Sequence, residues 1–529
     1  MKHQIFLLTI LFQTFSSYSQ SNIDVLHYKF ELTLSDKSDT IYGLAEINIR
    51  FLQASSSFSI DLRCQNKQGK GMIVDNISSP QDSLIKNYIV ENDKLNITLS
   101  KQANGNDSVI IMIRYHGIPA DGLIISKNRY GDRTFFGDNW PNRAHNWIPC
   151  KDEPDDKATF EFTVTAPSQY GVISNGKLEE EKKLADNKKF THWKEDVPLP
   201  TKVMVIGVGR FVVKQYKNSP AGIPVSAWTY PQDSVQGFQN YSPAPAIVKF
   251  YSDYVGPYPY NKLANVQSKT KFGGMENASA IFYNEESAEE TEPIEDLLAH
   301  EIAHQWFGDM ATEKSFPHLW LSEGFATYLT DIYFESKYGT DSMNKRLKEE
   351  RKKVIDFTNF SNKPVVDSAS SLTKLLSPNS YERGAWVLHM LRRQIGDSSF
   401  QTLIRKYYDR YKGGNANTED FREIAEQVTG KNLERFFKQW LHTPEIPQLS
   451  MQWKYDKTMG ELLVTVSQTQ KEVFQFPLQF EIESEVQKAT TVSVQINKKT
   501  ESFKFKVKKK PFRFIIDPNT SLLFEEMKK

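Results

Sequence analysis

Cysteine is nearly absent from this chain. Cys64 and Cys150 are the only two in 529 residues, which excludes a disulfide framework; two buried free thiols are expected rather than a bridge. An excess of either charge is missing too. With 66 Lys and Arg against 65 Asp and Glu the net charge is +1, so composition makes no electrostatic case for nucleic acid or an anionic membrane. Beyond the N-terminus no run of 18 apolar residues occurs, so no stable membrane span is expected. What remains, 39% hydrophobic and 25% charged, suits an ordinary globular protein. A chain of this length asks for about two to four domains.

The N-terminus is a separate matter. Lys2 and His3 precede the apolar run 5–12, and Ser16-Ser17-Tyr18-Ser19 follows it. A basic start, a short apolar core and small residues at the −3 and −1 positions of a cut after Ser19 describe a cleaved signal peptide over 1–19. A secreted or periplasmic mature protein is therefore expected.

From 20 to 212 the pattern is one of strands. Tyr28 to Leu34 alternates with period two, and so do Ala45 to Phe51 and Phe160 to Ala166. Helical periodicity is missing, so an all-β N-terminal domain is expected. From 213 to 442 the character becomes mixed and then helical, with helices expected at 381–394, 399–411 and 418–427 among others. Pro444 and Pro447 disfavour a continuing helix and mark a boundary. The short alternating segments beyond it predict a small C-terminal β-sandwich over 443–529. There Lys504, Lys506 and Lys508 alternate with Phe503, Phe505 and Val507, which reads as the solvated face of an edge strand rather than a nucleic-acid patch.

The chemistry concentrates in His300-Glu301-Ile302-Ala303-His304. On a helix His300 and His304 project from one face, one turn apart, and only 10 His occur in the chain. Two imidazoles so placed can bind one Zn²⁺, and Glu301 between them can act on water at the metal. A catalytic zinc takes a third protein ligand and keeps a fourth position open. Glu323 suits that role. It follows after 18 intervening residues on a second apolar-periodic segment, and Gly308 and Ser315-Phe316-Pro317 let the chain turn back. One zinc per chain is expected.

His300 to Gly308, followed at this interval by Trp320-Leu321-Ser322-Glu323-Gly324-Phe325-Ala326, resembles the gluzincin aminopeptidases of the aminopeptidase N type, peptidase family M1. Two further stretches agree. Gly273-Gly274-Met275-Glu276-Asn277 resembles the family's Gly-x-Met-Glu-Asn motif, and Tyr381-Glu382-Arg383-Gly384-Ala385 resembles its Tyr-x-Lys-Gly-Ala stretch with Arg for Lys. The resemblance implies a multidomain fold: an all-β N-terminal saddle, a thermolysin-like α+β zinc catalytic domain and the small C-terminal β-sandwich, a short form without the large helical C-terminal domain. It implies zinc held by His300, His304 and Glu323, Glu301 as general base and Tyr381 as donor to the oxyanion. It also implies that the 273–277 loop contacts substrate main chain while Glu276 anchors a free α-ammonium. On the residues alone, Tyr381 reads better as a core tyrosine at a helix start, which only the resemblance reverses, and the bland reading of Glu276 is an exposed loop acid.

Two positions depart from the family pattern. Where members carry Gln or Glu ten residues before Cys150, this chain has Trp140, with Asp138 two residues earlier. Either Asp138 substitutes, or the first side-chain pocket is narrower and more aromatic. Seven residues after Glu323, where a supporting Glu is usual, stands Thr330, followed by Asp331. The expected partners are peptides with a free N-terminus, with no nucleic acid and no membrane span. Two alternatives stand beside this reading: an epoxide hydrolase in the same zinc site, which shares the motifs, and an inactive peptide-holding relative, against which the intact His300, Glu301, His304, Glu323 and Tyr381 argue. N-terminal sequencing of protein from the native host is expected to find a mature chain beginning near Gln20; an intact Met1-Lys2 terminus would refute the signal.

Overall fold

The computed structural model describes residues 21–527 except 82, so the expected signal peptide lies outside the described residues. In Ile23–Thr33 the side chains of Val25, Tyr28, Phe30 and Leu32 are buried while Lys29 and Glu31 face outward. The alternation changes phase where a bulge interrupts the ladder between Val25 and His27. This strand lies inside a seven-stranded sheet. The order is Lys177–Lys183, Lys188–Leu199, Ala158–Pro167, Ile23–Thr33, Ile41–Phe51, Ser108–Ile118 and Gly71–Ser78. Its pairing with Ala158–Pro167 is parallel and sets Phe30 beside Phe162, their rings stacked at 5.2 Å. A four-stranded and a three-stranded sheet complete this region, which holds no α-helix among the described residues.

The strand Val212–Gln215 runs across the expected change of domain and pairs with Val225–Thr229. With Leu263–Gln267, Ala280–Tyr283 and Gly274–Met275 these form a five-stranded sheet, parallel through its middle. Gly274–Met275 is its last strand, antiparallel to Ala280–Tyr283, so one side of that short strand has no strand beside it.

Helices follow: Glu295–His304, Trp320–Tyr338, Thr340–Thr358, Gly384–Ile395, Asp397–Tyr411, Thr418–Thr429 and Glu434–Leu441. The fold thus joins a β-rich N-terminal part to a helical-plus-sheet part. None of the described helices is long and apolar enough to cross a membrane. From 448 onward a four-stranded and a three-stranded sheet meet through Phe505 and Phe480, ring centroids 6.2 Å apart. Thr500–Lys506 is an edge strand, with Lys504 and Lys506 on its outer face beside Glu461.

Two expectations change. Both thiols are free, but only Cys150 is buried; Cys64 is half-buried, because its segment lies at the rim of the sheet region. The helix expected from Tyr381 starts at Gly384 instead, preceded by a wide π-type turn over Asn379–Arg383. At the position where a supporting Glu is usual, neither Thr330 nor Asp331 lines the cavity of the metal cluster. The Thr330 hydroxyl donates to the carbonyl of Ala326, and Asp331 pairs with Arg346 at 2.7 Å.

The turn over Asn379–Arg383 is fixed from two sides. Arg383, wholly buried, donates to the carbonyls of Thr443, Pro444 and Glu445 at 2.6–2.9 Å. A guanidinium supplies several donors in one rigid fork, whereas lysine offers a point charge, which gives Arg a physical reason at this position. On the other side Gly324 and Gly384 touch backbone to backbone. A Cβ on Gly324 would lie 2.9 Å from the Cα of Gly384, and one on Gly384 3.0 Å from the Cα of Gly324. Gly324→Ala should therefore force the two segments apart at a cost of about 1–3 kcal/mol, the range for overpacking. Denaturant unfolding of the variant checks this; an unchanged midpoint would show that the contact yields freely.

Candidate metal and substrate site

The helix Glu295–His304 and the helix Trp320–Tyr338 are tied at both ends. At one end Glu295, on the first turn, accepts hydrogen bonds from Tyr333, Lys337 and Tyr338, the last at 2.6 Å. At the other end His300 Nε2 and His304 Nε2 lie 3.1 Å apart, and Glu323 Oε2 is 3.3 Å from each. The three expected ligands thus converge. His304 and Glu323 are almost fully buried, while His300 keeps 19% of its side chain exposed at the mouth. His304 Nδ1 faces the carbonyl of Phe307 at 3.1 Å. A carbonyl only accepts, so Nδ1 carries the proton and the Nε2 lone pair is free for a metal.

The electrostatics fit a cation. Burial lowers the affinity of His304 for a proton, yet Glu323, Glu276 and Glu301 more than offset this and push its pKa up to about 10. Against burial, the two imidazoles hold Glu323 well below the usual carboxylate range. Burial, despite His304 and with the Glu276 and Glu323 charges adding to it, pushes Glu301 well above that range. Two imidazoles and one carboxylate within reach of one point, inside a negative field, form the donor set of a catalytic zinc.

The other expected residues gather around this cluster. A cavity of about 280 Å³ is lined by His300, Glu301, His304 and Glu323 together with Gly273, Gly274, Met275, Glu276 and Tyr381. Gly274 has a specific cause: a Cβ there would collide with the Glu301 carboxylate, so glycine lets the edge strand and the motif helix come together. Glu276 is 5% exposed, and its Oε1 finds no hydrogen-bond donor. It is therefore no exposed loop acid. Tyr381 stacks on His300, ring centroids 5.9 Å apart and 18° between planes. Burial, with Glu323, Glu276 and Glu301 nearby, pushes its hydroxyl well above the ordinary tyrosine range, so it stays protonated. Asn277 departs from expectation: it is wholly buried and takes no part in the cavity wall.

Of the two candidates near the pocket, Trp140 lines the cavity and Asp138 does not. Asp138 is wholly buried, bonded to Arg143 at 2.5 Å, and its other oxygen accepts from the Lys271 N–H at 3.3 Å.

Sequence reasoning missed the network behind the site. Gln305 donates to the carbonyl of Glu276 at 2.8 Å and to Asp309 at 3.0 Å, and accepts from the Ser279 N–H at 2.7 Å. It clamps the 273–277 loop to the motif helix. Lys202, from the N-terminal part, pairs with Glu313 at 2.5 Å, both buried. Lys157 donates to the carbonyls of Asp309 and Met310. Only Gln305, adjoining the motif, carried any sequence signal; the lysines sit in segments with no pattern linking them to it.

Comparison with known proteins agrees with this geometry. The family model for the peptidase family M1 domain matches residues 241–440, and that for the peptidase M1 N-terminal domain matches residues 25–203. The chain belongs to peptidase family M1. It is similar to probable aminopeptidase 2 of Sulfurisphaera tokodaii, 29% identical over 314 residues, which are 56% of this chain and 40% of that protein. The match thus spans about two fifths of that curated relative. Among solved structures, the M1 zinc metallopeptidase from Deinococcus radiodurans has a TM-score of 0.70 at 22% identity, covering 81% of this chain and 95% of that one. Legionella pneumophila aminopeptidase A in complex with aspartic acid has a TM-score of 0.82 at 18% identity, covering 97% of this chain and 60% of that one. These two share the fold. The family implies zinc, and the His300, His304 and Glu323 cluster fits it.

Metal analysis is expected to find about one zinc per chain in the wild type. His304→Ala should lose it, because no third donor replaces the imidazole. Glu301→Gln should keep it while losing activity. A Glu301→Gln protein empty of metal would assign that residue to the ligand set and refute the division of roles.

Proposed function

We propose that this protein is an exported zinc aminopeptidase that removes residues one at a time from the N-terminus of peptides. The observation that carries the reading is Glu276: a buried carboxylate oxygen without a donor, on the wall of the cavity that holds the metal ligands. A substrate α-ammonium supplies the missing donors, and a peptide without a free end leaves that charge unpaired. The free side of Gly274–Met275 offers main-chain groups to an extended peptide, which suits strand addition.

Bound zinc would polarise the scissile carbonyl and make water acidic enough to ionise near neutral pH. Glu301 takes the proton from the attacking water and delivers it to the leaving amine; its raised proton affinity suits a group that must hold the proton between the two steps. Tyr381 donates its hydroxyl to the oxyanion developing on the carbonyl, a contact typically worth about 3 kcal/mol. Glu276 keeps the amine, and hence the first peptide bond, in register with Glu301.

The finer architecture belongs to the same reading. The segments 20–212, 213–442 and 443–529 are taken as three domains, the last a small sandwich supported by the Phe480–Phe505 contact. Export rests on the sequence of residues 1–19.

Glu276→Ala should lower kcat/KM on aminoacyl substrates about a hundredfold, the effect of losing about 2–3 kcal/mol from a charge-assisted contact, with zinc content unchanged. N-acetylated peptides should resist the wild-type enzyme. Mass spectrometry of a blocked and unblocked peptide pair decides the matter, since efficient internal cleavage of the blocked peptide ends the aminopeptidase reading.

A further inference from the structure

Beyond the metal ligands and Glu276 the cavity changes character. Its remaining walls include Trp140, Phe272, Leu297 and Leu376, and no Lys or Arg lines it among the described residues. We propose that these walls, with Trp140 and Phe272 as the determinants, form a first-residue subsite that accepts uncharged apolar side chains and rejects acidic ones. The proposal rests on Glu276 holding the amine, which puts the first side chain in this cavity.

The walls are built rather than incidental. Trp140 is 3% exposed and stands edge-on to Phe272 at 6.1 Å and to Phe316 at 6.5 Å. The segment carrying it is stitched to the segment carrying Phe272. Arg143 donates from Nε to the Trp140 carbonyl at 2.7 Å and from its other arm to Asp138. Asp138 in turn accepts from the Thr270 hydroxyl at 3.4 Å and the Lys271 N–H at 3.3 Å. Asp138 thus sets the two rings against each other and is absent from the wall itself. Lys271, beside Phe272 in sequence, points away and pairs with Asp121 at 3.3 Å.

Charge decides the selectivity. An Asp or Glu side chain in this cavity meets no Lys or Arg among the described lining residues, so it loses its hydration without gaining a basic partner. An Arg or Lys side chain finds the carboxylates of the cavity already engaged: Glu323 by the metal it would hold, Glu301 by the attacking water and Glu276 by the substrate's own amine. An apolar side chain loses nothing on leaving water and gains contact with the rings.

Zinc-loaded enzyme should be assayed on fluorogenic aminoacyl amides of Leu, Met, Phe, Asp, Glu, Arg and Lys. The expected kcat/KM for the apolar three exceeds that for Asp and Glu by at least about 100-fold and lies above that for Arg and Lys. Because Trp140 is deeply buried and its replacement threatens folding, the variant is Phe272→Lys at a half-buried position. It should narrow the Leu-to-Glu ratio at least about tenfold by supplying a basic side chain to the wall. Calorimetric binding of free leucine and free glutamate to zinc-loaded Glu301→Gln protein should follow the same order. Glutamyl turnover within about tenfold of leucyl, a preference for Arg or Lys, or an unchanged ratio in folded Phe272→Lys overturns the proposal. If no aminoacyl amide is cleaved, the aminopeptidase reading fails, while the two binding measurements still decide the subsite.

Discussion

The site depends on two helices locked together along their length. Glu295 binds Tyr333, Lys337 and Tyr338 at one end, and His300, His304 and Glu323 meet at the other. Side chains on a helix are placed by its rotation and slide, so two ligands from one helix and one from another meet only if both motions are stopped. The Glu295 cluster stops the slide. The contact of Gly324 with Gly384 then brings a third segment close enough for Tyr381 to lie on His300. A ligand triad and a hydrogen-bond donor are thereby fixed on packed elements rather than on loops.

A second constraint runs backwards from the site into the protein. Gln305 clamps the carbonyl of Glu276, and the paired Lys202 and Glu313 lie behind with Asp309. Each group here is buried and charged or strongly polar, so removing one partner leaves another stranded. Through Lys202 and Lys157 the N-terminal β-rich part takes a share in positioning the 273–277 loop. That part is therefore structural support for chemistry performed elsewhere in the chain.

The carboxylates divide the work by environment. Glu323 lies between two imidazoles and is held ionised, Glu301 is pushed towards its protonated form by burial, and Glu276 is buried with an oxygen left unpaired. Three glutamates within one cavity thus differ in proton affinity because their neighbours differ. Trp140 and Phe272 line the same cavity and carry no charge.

The sequence by itself determined the local parts. Spacing put His300 and His304 on one helix face, alternation laid out Ile23–Thr33 and its partners as strands, and alternating lysines marked Thr500–Lys506 as an edge. These are properties of period, and period is written in neighbouring residues. Family resemblance supplied Tyr381 and Glu276, whose positions no local pattern fixes. Only the tertiary structure decided the rest. It buried Glu276, turned Asp138 away and Trp140 inward, gave Arg383 three carbonyls to satisfy, and delayed the helix expected at Tyr381 until Gly384. It also recruited Lys157 and Lys202 from more than a hundred residues away. Such contacts depend on which surfaces meet when elements pack, and a side chain carries no mark of a partner distant along the chain.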